Sequence, residues 1–164
     1  MKRLFLLRHA KSSWDDAGLP DRDRPLAPRG RRATKLMARH LRDEKISPAL
    51  ILCSPARRTR ETLEGVGPSG EVRIEDDLYG ASQTALLERL RQVPDTTESV
   101  MLIGHNPAVQ ELALGLAGAG ERRADVERKF PTGALATLAV PDQWGELGPG
   151  SAELVAFVTP KELR

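Results

Sequence analysis

Reactive side chains follow three short apolar stretches of the chain. They are Arg8 and His9 after RLFLL, Ser54 after PALILC, and His105 and Asn106 after SVMLIG. A neutral imidazole can act as a nucleophile, and a guanidinium beside it can grip an anion through paired hydrogen bonds. This combination of residue types is typical of chemistry on phosphoryl groups.

Strand-like and helix-like segments alternate along the chain, which predicts how these residues are positioned. The three apolar stretches and EVRIED are predicted to be strands, and apolar residues at helical spacing predict helices between them. Two further strand-like segments, GALATLAV and AELVAFV, are separated by a turn-rich stretch. The pattern predicts an α/β fold with a mostly parallel sheet that is covered on both faces.

The predicted sheet explains why reactive residues stand at strand ends. In open α/β sheets, ligands bind outside the carboxyl ends of the strands. Ser54 and Asn106 each precede a proline, so we expect a helix to begin there, with Ser54 as N-cap and Pro55 at the first helical position. Helix N-termini favour anions. We therefore expect a phosphate site at this edge, with Ser54 and Asn106 among its binding residues.

Three arginines follow Ser54, and helix geometry separates them. On a helix, Arg58 shares a face with Ser54 and Thr62, whereas Arg57 and Arg60 point away. The geometry favours Arg58 as the arginine of the pocket, while the other two are typical of a solvated helix face.

Three other chemistries do not match the sequence. A cysteine phosphatase needs an arginine at a fixed spacing after its cysteine, and Thr59 occupies that position relative to Cys53. A metal centre on His9 and His105 would need a third ligand, and the adjacent Arg8 would repel a divalent cation. The sequence has no Walker loop. We therefore expect neither a metal nor a cofactor.

Composition narrows the class of protein further. Hydrophobic residues make up 40% and charged residues 29%, which fits a single globular domain over residues 1–164. Aromatic residues at 4% and a net charge of +2 argue against a nucleic-acid partner. One cysteine excludes an internal disulfide, and the apolar runs are too short for a signal peptide or a membrane span. We expect a cytoplasmic protein without a membrane partner.

Four segments together resemble a known family. The segments LLRHAKSSW, RPLAPRG, CSPARRTRET and LIGHNP are similar to motifs of the histidine phosphatase superfamily, which has the phosphoglycerate-mutase-like fold. With KFPTGALATL, the resemblance extends to about residue 140 and is to the short phosphohistidine phosphatase SixA branch. It implies a three-layer α/β/α sandwich with the site at the carboxyl ends of the strands.

The resemblance also implies roles for individual residues. His9 would be the nucleophile that becomes phosphorylated, Arg8 and Arg58 would hold the phosphoryl oxygens, and His105 would complete the pocket. Arg24 matches an arginine that this branch places near the pocket.

Two positions depart from the superfamily pattern. Ala10 stands where glycine is usual, a variation that we associate with this branch. Larger relatives carry a glutamate general acid after the third strand, where this chain reads IEDDLYGAS, so Asp76 and Asp77 are the candidate acids. An alkoxide leaving group needs such an acid, whereas phosphohistidine can expel neutral imidazole almost unaided.

The length of the chain bears on the expected substrate. Few residues remain for a segment that encloses a small substrate, so we expect a phosphohistidine-carrying signalling protein as the phosphorylated partner. A small-molecule phosphomonoesterase or mutase of the same fold is the alternative enzyme. A phosphate-binding module without activity is a third hypothesis, and the nucleophile at His9 argues against it.

Overall fold

The computed structural model describes the backbone of residues 1–164 and all side chains except that of residue 121. One mixed sheet forms its centre. The strands are β1 (Lys2–Arg8), β2 (Leu50–Cys53), β3 (Glu71–Ile74), β4 (Ser99–Gly104), β5 (Leu135–Val140) and β6 (Glu153–Val158). Their spatial order is β3-β2-β4-β1-β5-β6.

Helices connect and cover these strands. The α-helices are α1 (Pro28–Asp43), α2 (Arg57–Val66), α3 (Gln83–Arg91), α4 (Ala108–Leu116) and α5 (Glu121–Arg128). Short 3-10 helices occur at Asp21–Asp23, Asp76–Leu78, Trp144–Glu146 and Pro160–Leu163. Among the described residues, none of the helices combines the length and the apolar character needed to cross a lipid bilayer.

The sheet is parallel through its first four positions and antiparallel at one end. β3, β2, β4 and β1 pair in parallel, whereas β5 pairs antiparallel with β1, and β6 antiparallel with β5. Parallel strands need a crossover connection, which helices supply, whereas antiparallel neighbours can be joined by a shorter loop. The prediction of a mostly parallel α/β sheet is confirmed, with the last two strands as its antiparallel end.

Alternate residues of the central strands build two hydrophobic cores, one on each face of the sheet. Leu4 and Leu6 of β1 belong to the core that contains buried residues of α3, α4 and α5. Phe5 and Leu7 belong to the core that contains residues of α1 and α2. Because successive side chains of a strand point to opposite faces, both faces are covered, and the three-layer α/β/α arrangement is confirmed.

The start of helix α2 differs from the prediction. The helix begins at Arg57 with Ala56 as its N-cap, so the prediction that Ser54 caps it and Pro55 opens it is wrong. The Ser54 hydroxyl instead lies 2.8 Å from a ring nitrogen of His105. The same hydroxyl oxygen also accepts from the Ala56 backbone N–H at 3.4 Å, but no side chain caps the first turn of α2.

Candidate active site

The two predicted histidines lie together because β1 and β4 are parallel neighbours. Arg8, at the end of β1, is in register with Gly104 at the end of β4. The His9 backbone N–H donates to the Gly104 carbonyl at 3.1 Å. The centres of the His9 and His105 rings are 5.4 Å apart. Both rings therefore lie at the carboxyl edge of the sheet.

His9 is held in a form that can attack an electrophile. Its side chain is buried, and Nδ1 lies 2.7 Å from the Ala10 carbonyl oxygen. A carbonyl can only accept, so Nδ1 carries the proton and Nε2 keeps its lone pair. Burial, with smaller effects from His105, Arg58 and Arg8, lowers the pKa of His9 to about 3. The ring is therefore neutral near pH 7.

Arg58 enters the site from the first turn of α2, on the buried face of that helix. Its Nη1 donates to the Asp21 carbonyl at 2.8 Å, and its Nη2 donates to Asp21 Oδ2 at 3.0 Å. Arg57 and Arg60 are exposed on the other side of the helix. The predicted division of these three arginines by helix face agrees with the structure.

Arg8 and Arg58 share an unusual feature. Arg8 Nη1 donates to the Phe130 carbonyl at 2.9 Å, which fixes one side of its guanidinium. Among the described side chains, the buried polar atoms without a hydrogen-bond partner are Arg8 Nε and Arg58 Nε. Buried N–H groups are normally satisfied, so each of these two atoms is a donor that a bound anion could satisfy with a charge-assisted hydrogen bond.

His105 is oriented by the residue that was predicted to cap α2. Its Nε2 lies 2.8 Å from Ser54 Oγ, and Ser54 is fully buried. Burial, followed by the charge of Arg58, lowers the pKa of His105 to about 4, against an opposing effect of Asp21. Ser54 therefore acts on the site by orienting the His105 ring. Like the His9 ring, the His105 ring is neutral near pH 7.

Arg24 reaches the site indirectly. Its Nη1 donates to Ser12 Oγ at 2.8 Å, and its Nε donates to Asp21 Oδ1 at 3.3 Å. Its guanidinium lies 3.6 Å from the centre of the exposed Trp14 ring. Arg24 therefore joins the loop after β1 to the residue that Arg58 contacts.

The side chain of Asn106 makes contacts within the protein. Its Nδ2 donates to the Phe130 carbonyl at 3.2 Å, the same carbonyl that Arg8 contacts. Its Oδ1 accepts from the Gln110 backbone N–H at 3.2 Å in the first turn of α4. Asn106 thus joins the start of α4 to the segment before β5.

The two predicted acids lie on the surface. Asp76 and Asp77 are both exposed, and Asp76 Oδ1 lies 3.3 Å from Arg22 Nη2. The guanidinium of Arg22 in turn lies 5.5 Å from the centre of the Tyr79 ring.

Asp21 and Tyr79 are site residues that sequence reasoning missed. The Tyr79 hydroxyl donates to Asp21 Oδ2 at 2.6 Å, and the Tyr79 ring meets His105 edge-on at 5.8 Å. The Tyr79 hydrogen bond, with those from Arg58 and Arg24, lowers the pKa of Asp21 to about 2. The only signal in the sequence was an aspartate among the arginines of PDRDRPL.

Cys53 is not arranged as a nucleophile. The side chain is buried, and its Sγ donates to the Ser54 carbonyl at 3.3 Å. Burial raises the pKa of Cys53 to about 12, so it is a thiol near pH 7. Because the thiolate is the nucleophilic form, this agrees with the sequence argument against a cysteine phosphatase.

A cavity of about 490 Å³ opens beside His105. It is lined by residues 80–84 before and within the start of α3, by the end of β4, and by the loop that leads into α4. His105 and Asn106 border this cavity, whereas Arg8, His9 and Arg58 are not among its lining residues. The cavity therefore adjoins the site on the side of His105.

Comparisons with known proteins agree with this fold. The family model of the histidine phosphatase superfamily (branch 1) matches residues 4–82. An uncharacterised protein of Mycobacterium tuberculosis is 40% identical over 159 residues, covering 94% of this chain and 100% of that protein. The phosphohistidine phosphatase SixA of Escherichia coli is 28% identical, covering 84% of this chain and 85% of that protein.

A solved structure is similar over nearly the whole chain. A proposed phosphohistidine phosphatase SixA from Nakamurella multipartitia has a TM-score of 0.88 and 30% identity, covering 97% of this chain and 96% of that one. The chain belongs to the histidine phosphatase superfamily and has its phosphoglycerate-mutase-like fold. Within that superfamily it falls with the short SixA-like proteins.

Proposed function

We propose that the protein is a phosphatase that removes phosphoryl groups from phosphohistidine in a partner protein and that forms a phosphohistidine intermediate on His9. One observation carries the proposal. A buried, neutral His9, with its Nδ1 proton held by Ala10, lies with Arg8 and Arg58, whose buried Nε groups have no partner among the described residues. A nucleophile beside two anion-binding forks is suited to phosphoryl transfer.

The first chemical step is transfer to His9. Arg8 and Arg58 bind the phosphoryl oxygens, and His9 Nε2 attacks phosphorus as the bond to the leaving nitrogen breaks. The bonding electron pair stays on that nitrogen, which belongs to an imidazole protonated at its other nitrogen, so neutral imidazole departs. His105, held by Ser54, donates a hydrogen bond to an oxygen of the transferring phosphoryl group.

The second step is hydrolysis. Water attacks the phosphorus bound to His9, the phosphorus–nitrogen bond breaks, and inorganic phosphate leaves. The electron pair returns to His9 Nε2, which restores the resting ring. Both steps use the guanidinium charges of Arg8 and Arg58 and require no metal ion.

The placement of the acidic residues supports phosphohistidine as the substrate. Asp76 is exposed and paired with Arg22, and Asp21 has a pKa of about 2, so it is ionised near pH 7. Neither arrangement suits a general acid for an alkoxide leaving group. General-acid help is worth about 10²–10⁴-fold, and an alcohol ester would lose that help here. A phosphohistidine would lose little, because its imidazole leaves almost unaided.

The similarity to SixA proteins supports a protein as the carrier of the phosphohistidine. The cavity that adjoins His105 leaves room next to the site for part of such a carrier. A small-molecule phosphomonoesterase would use the same residues, so a comparison of substrates is needed to distinguish it from a protein phosphohistidine phosphatase.

A substrate panel and an intermediate trap test the proposal. The panel compares a phosphohistidine peptide, phosphoserine, p-nitrophenyl phosphate and a sugar phosphate at matched concentrations. We expect phosphohistidine and the aryl phosphate to be turned over much faster than the other two. Equal rates on a sugar phosphate would favour the small-molecule phosphatase.

Trapping identifies the nucleophile. After a short reaction with labelled substrate and a quench at alkaline pH, which preserves phosphohistidine, peptide mapping should place the label on His9. The His9→Ala variant should carry no label. Label on Ser54 or Cys53, or full labelling of His9→Ala, would overturn the assignment.

A further inference from the structure

The groups around the site differ in depth. His9 is 7% exposed, whereas the side chain of Asp21 is 51% exposed and lies 3.0 Å from Arg58 Nη2. Phosphoryl transfer places the nucleophile and the leaving group roughly in line, on opposite sides of phosphorus. A leaving group expelled by a buried His9 therefore departs toward solvent, and Asp21 is an exposed acidic group in direct contact with the phosphate-binding Arg58.

Asp21 is fixed in place by three donors. Its Oδ2 accepts from Arg58 Nη2 at 3.0 Å and from the Tyr79 hydroxyl at 2.6 Å, and its Oδ1 accepts from Arg24 Nε at 3.3 Å. An ionised carboxylate has about four lone-pair sites, so three donors leave capacity for one more. The exposed half of the group can meet a donor that arrives with the substrate.

We propose that Asp21, held in place by Tyr79, binds the leaving group. It thereby selects phosphoramidates whose leaving group bears an N–H, as phosphohistidine does when its other ring nitrogen is protonated. This inference rests on the proposed function and adds the residue that recognises the leaving group. An alkyl or sugar phosphate offers no such cationic N–H at this position. The carboxylate thus favours a nitrogen leaving group by its charge, without acting as an acid.

The chemical step balances without a proton reaching Asp21. The N–H of the protonated phosphohistidine ring donates to the Asp21 carboxylate while His9 Nε2 forms its bond to phosphorus. The breaking phosphorus–nitrogen bond leaves its electron pair on the departing nitrogen, and the proton on the other ring nitrogen remains there. The carboxylate contributes by keeping the bound ring in its reactive, protonated form at a pH where the free ring has lost that proton.

Several charged or titratable groups face Asp21 from the elements packed around it. They are Arg58 from α2, Arg24 after the Asp21–Asp23 turn, Tyr79 after the Asp76–Leu78 turn, and His105 after β4. Arg22 lies over the Tyr79 ring and pairs with Asp76. The arginines hold Asp21 ionised, and the phosphoryl group of the substrate offsets their charge when it binds.

The pH dependence of kcat tests the inference, because kcat reports groups of the enzyme–substrate complex. Wild type, Asp21→Asn and Tyr79→Phe are assayed with a phosphohistidine peptide and with p-nitrophenyl phosphate. With phosphohistidine, we expect the alkaline fall in kcat to move to lower pH in Asp21→Asn and to move less in Tyr79→Phe, which keeps the charge. The preference for phosphohistidine over the aryl phosphate should fall about tenfold or more in Asp21→Asn.

Other outcomes distinguish the alternatives. If Asp21→Asn loses the same factor on both substrates with an unmoved alkaline limb, Asp21 only holds Arg58 and the inference fails. If Asp21→Asn does not fold, the wild-type enzyme alone still tests the inference. The inference requires that the alkaline fall in wild-type kcat on phosphohistidine lie at a higher pH than the pKa measured for the phosphohistidine ring in the free peptide. A wild type inactive on phosphohistidine but active on aryl phosphate would instead overturn the proposed function.

Discussion

The Thr62 hydroxyl joins helix α2 to the segment that carries His9. Its Oγ1 accepts from the Ala10 backbone N–H at 3.0 Å and donates to the Arg58 carbonyl at 2.7 Å. Ala10 and Thr62 are both buried. One side chain therefore fixes the distance between the predicted nucleophile on one element and the predicted phosphate-binding arginine on another.

Replacing Thr62 with valine should destabilise the protein. The change keeps the shape but leaves the buried Ala10 N–H without a partner, which costs about 1–3 kcal/mol of unfolding free energy. Urea unfolding followed by circular dichroism measures it. Thr96→Val, at an exposed threonine, is the matched control and should change stability little. Equal effects of the two variants would contradict the role of the Thr62 hydrogen bond.

Arg58→Lys should lose most of the activity although the charge is kept. An ammonium group cannot donate to Asp21 and to a phosphoryl oxygen in the fork geometry of a guanidinium. We expect kcat/KM on the aryl phosphate to fall about 10²–10³-fold, the cost of losing one transition-state donor. Arg57→Lys, at an exposed position of the same turn, serves as the control and should stay near wild type. Normal activity of Arg58→Lys would show that another arginine holds the phosphate.

Ser54→Ala should impair catalysis through His105. The variant removes the hydroxyl that lies 2.8 Å from His105 Nε2, so the ring loses its fixed orientation. We expect kcat to fall about tenfold, a typical loss for one hydrogen bond to a catalytic group. Steady-state kinetics provide the measurement, with Ser47→Ala at an exposed serine as the control. Unchanged kcat in Ser54→Ala would show that Ser54 does not contribute to catalysis through His105.

Stability should fall as the pH is lowered from 7 to 5. The pKa of His9 is lowered in the folded protein from 6.5 to about 3, so below pH 6.5 the unfolded chain binds a proton that the folded chain does not. Proton binding to the unfolded state alone destabilises the fold, by about 2 kcal/mol at pH 5 for this group. His105 acts in the same direction.

The His9→Asn variant isolates this contribution. Asparagine does not titrate, so the loss of stability between pH 7 and pH 5 should be smaller by about 2 kcal/mol than in wild type. Urea unfolding at a series of pH values, in buffers free of phosphate, makes the comparison. Parallel pH profiles for the two proteins would mean that His9 is not held neutral by the fold.

Activity should survive removal of divalent metals. Arg8 and Arg58 supply the positive charge that a metal would otherwise bring to the phosphoryl oxygens. We expect prolonged incubation with a chelator, followed by desalting, to leave kcat/KM for the aryl phosphate unchanged. A loss that zinc or manganese restores would instead indicate a metal centre on the two histidines.

Local sequence patterns were sufficient for much of the fold. The apolar runs predicted the central strands, and the helical period separated Arg58 from Arg57 and Arg60. The sequence did not predict helix α5, because ERRADVER has too few apolar residues to show a helical stripe. Periodicity reports which face of an element is buried, and it reports this best when the buried face is apolar.

The sequence by itself determined which reactive residues end the parallel strands, and therefore that Arg8, His9 and His105 share one edge. Only the tertiary structure decided that Asp21 meets Arg58 and Tyr79, and that Ser54 serves His105 rather than the start of α2. Strands and helices follow from local patterns of apolar residues, whereas the tertiary structure decided the strand order β3-β2-β4-β1-β5-β6. The path of a loop depends on contacts between residues that are distant in sequence, such as Asp21 and Tyr79, and no local period encodes those contacts.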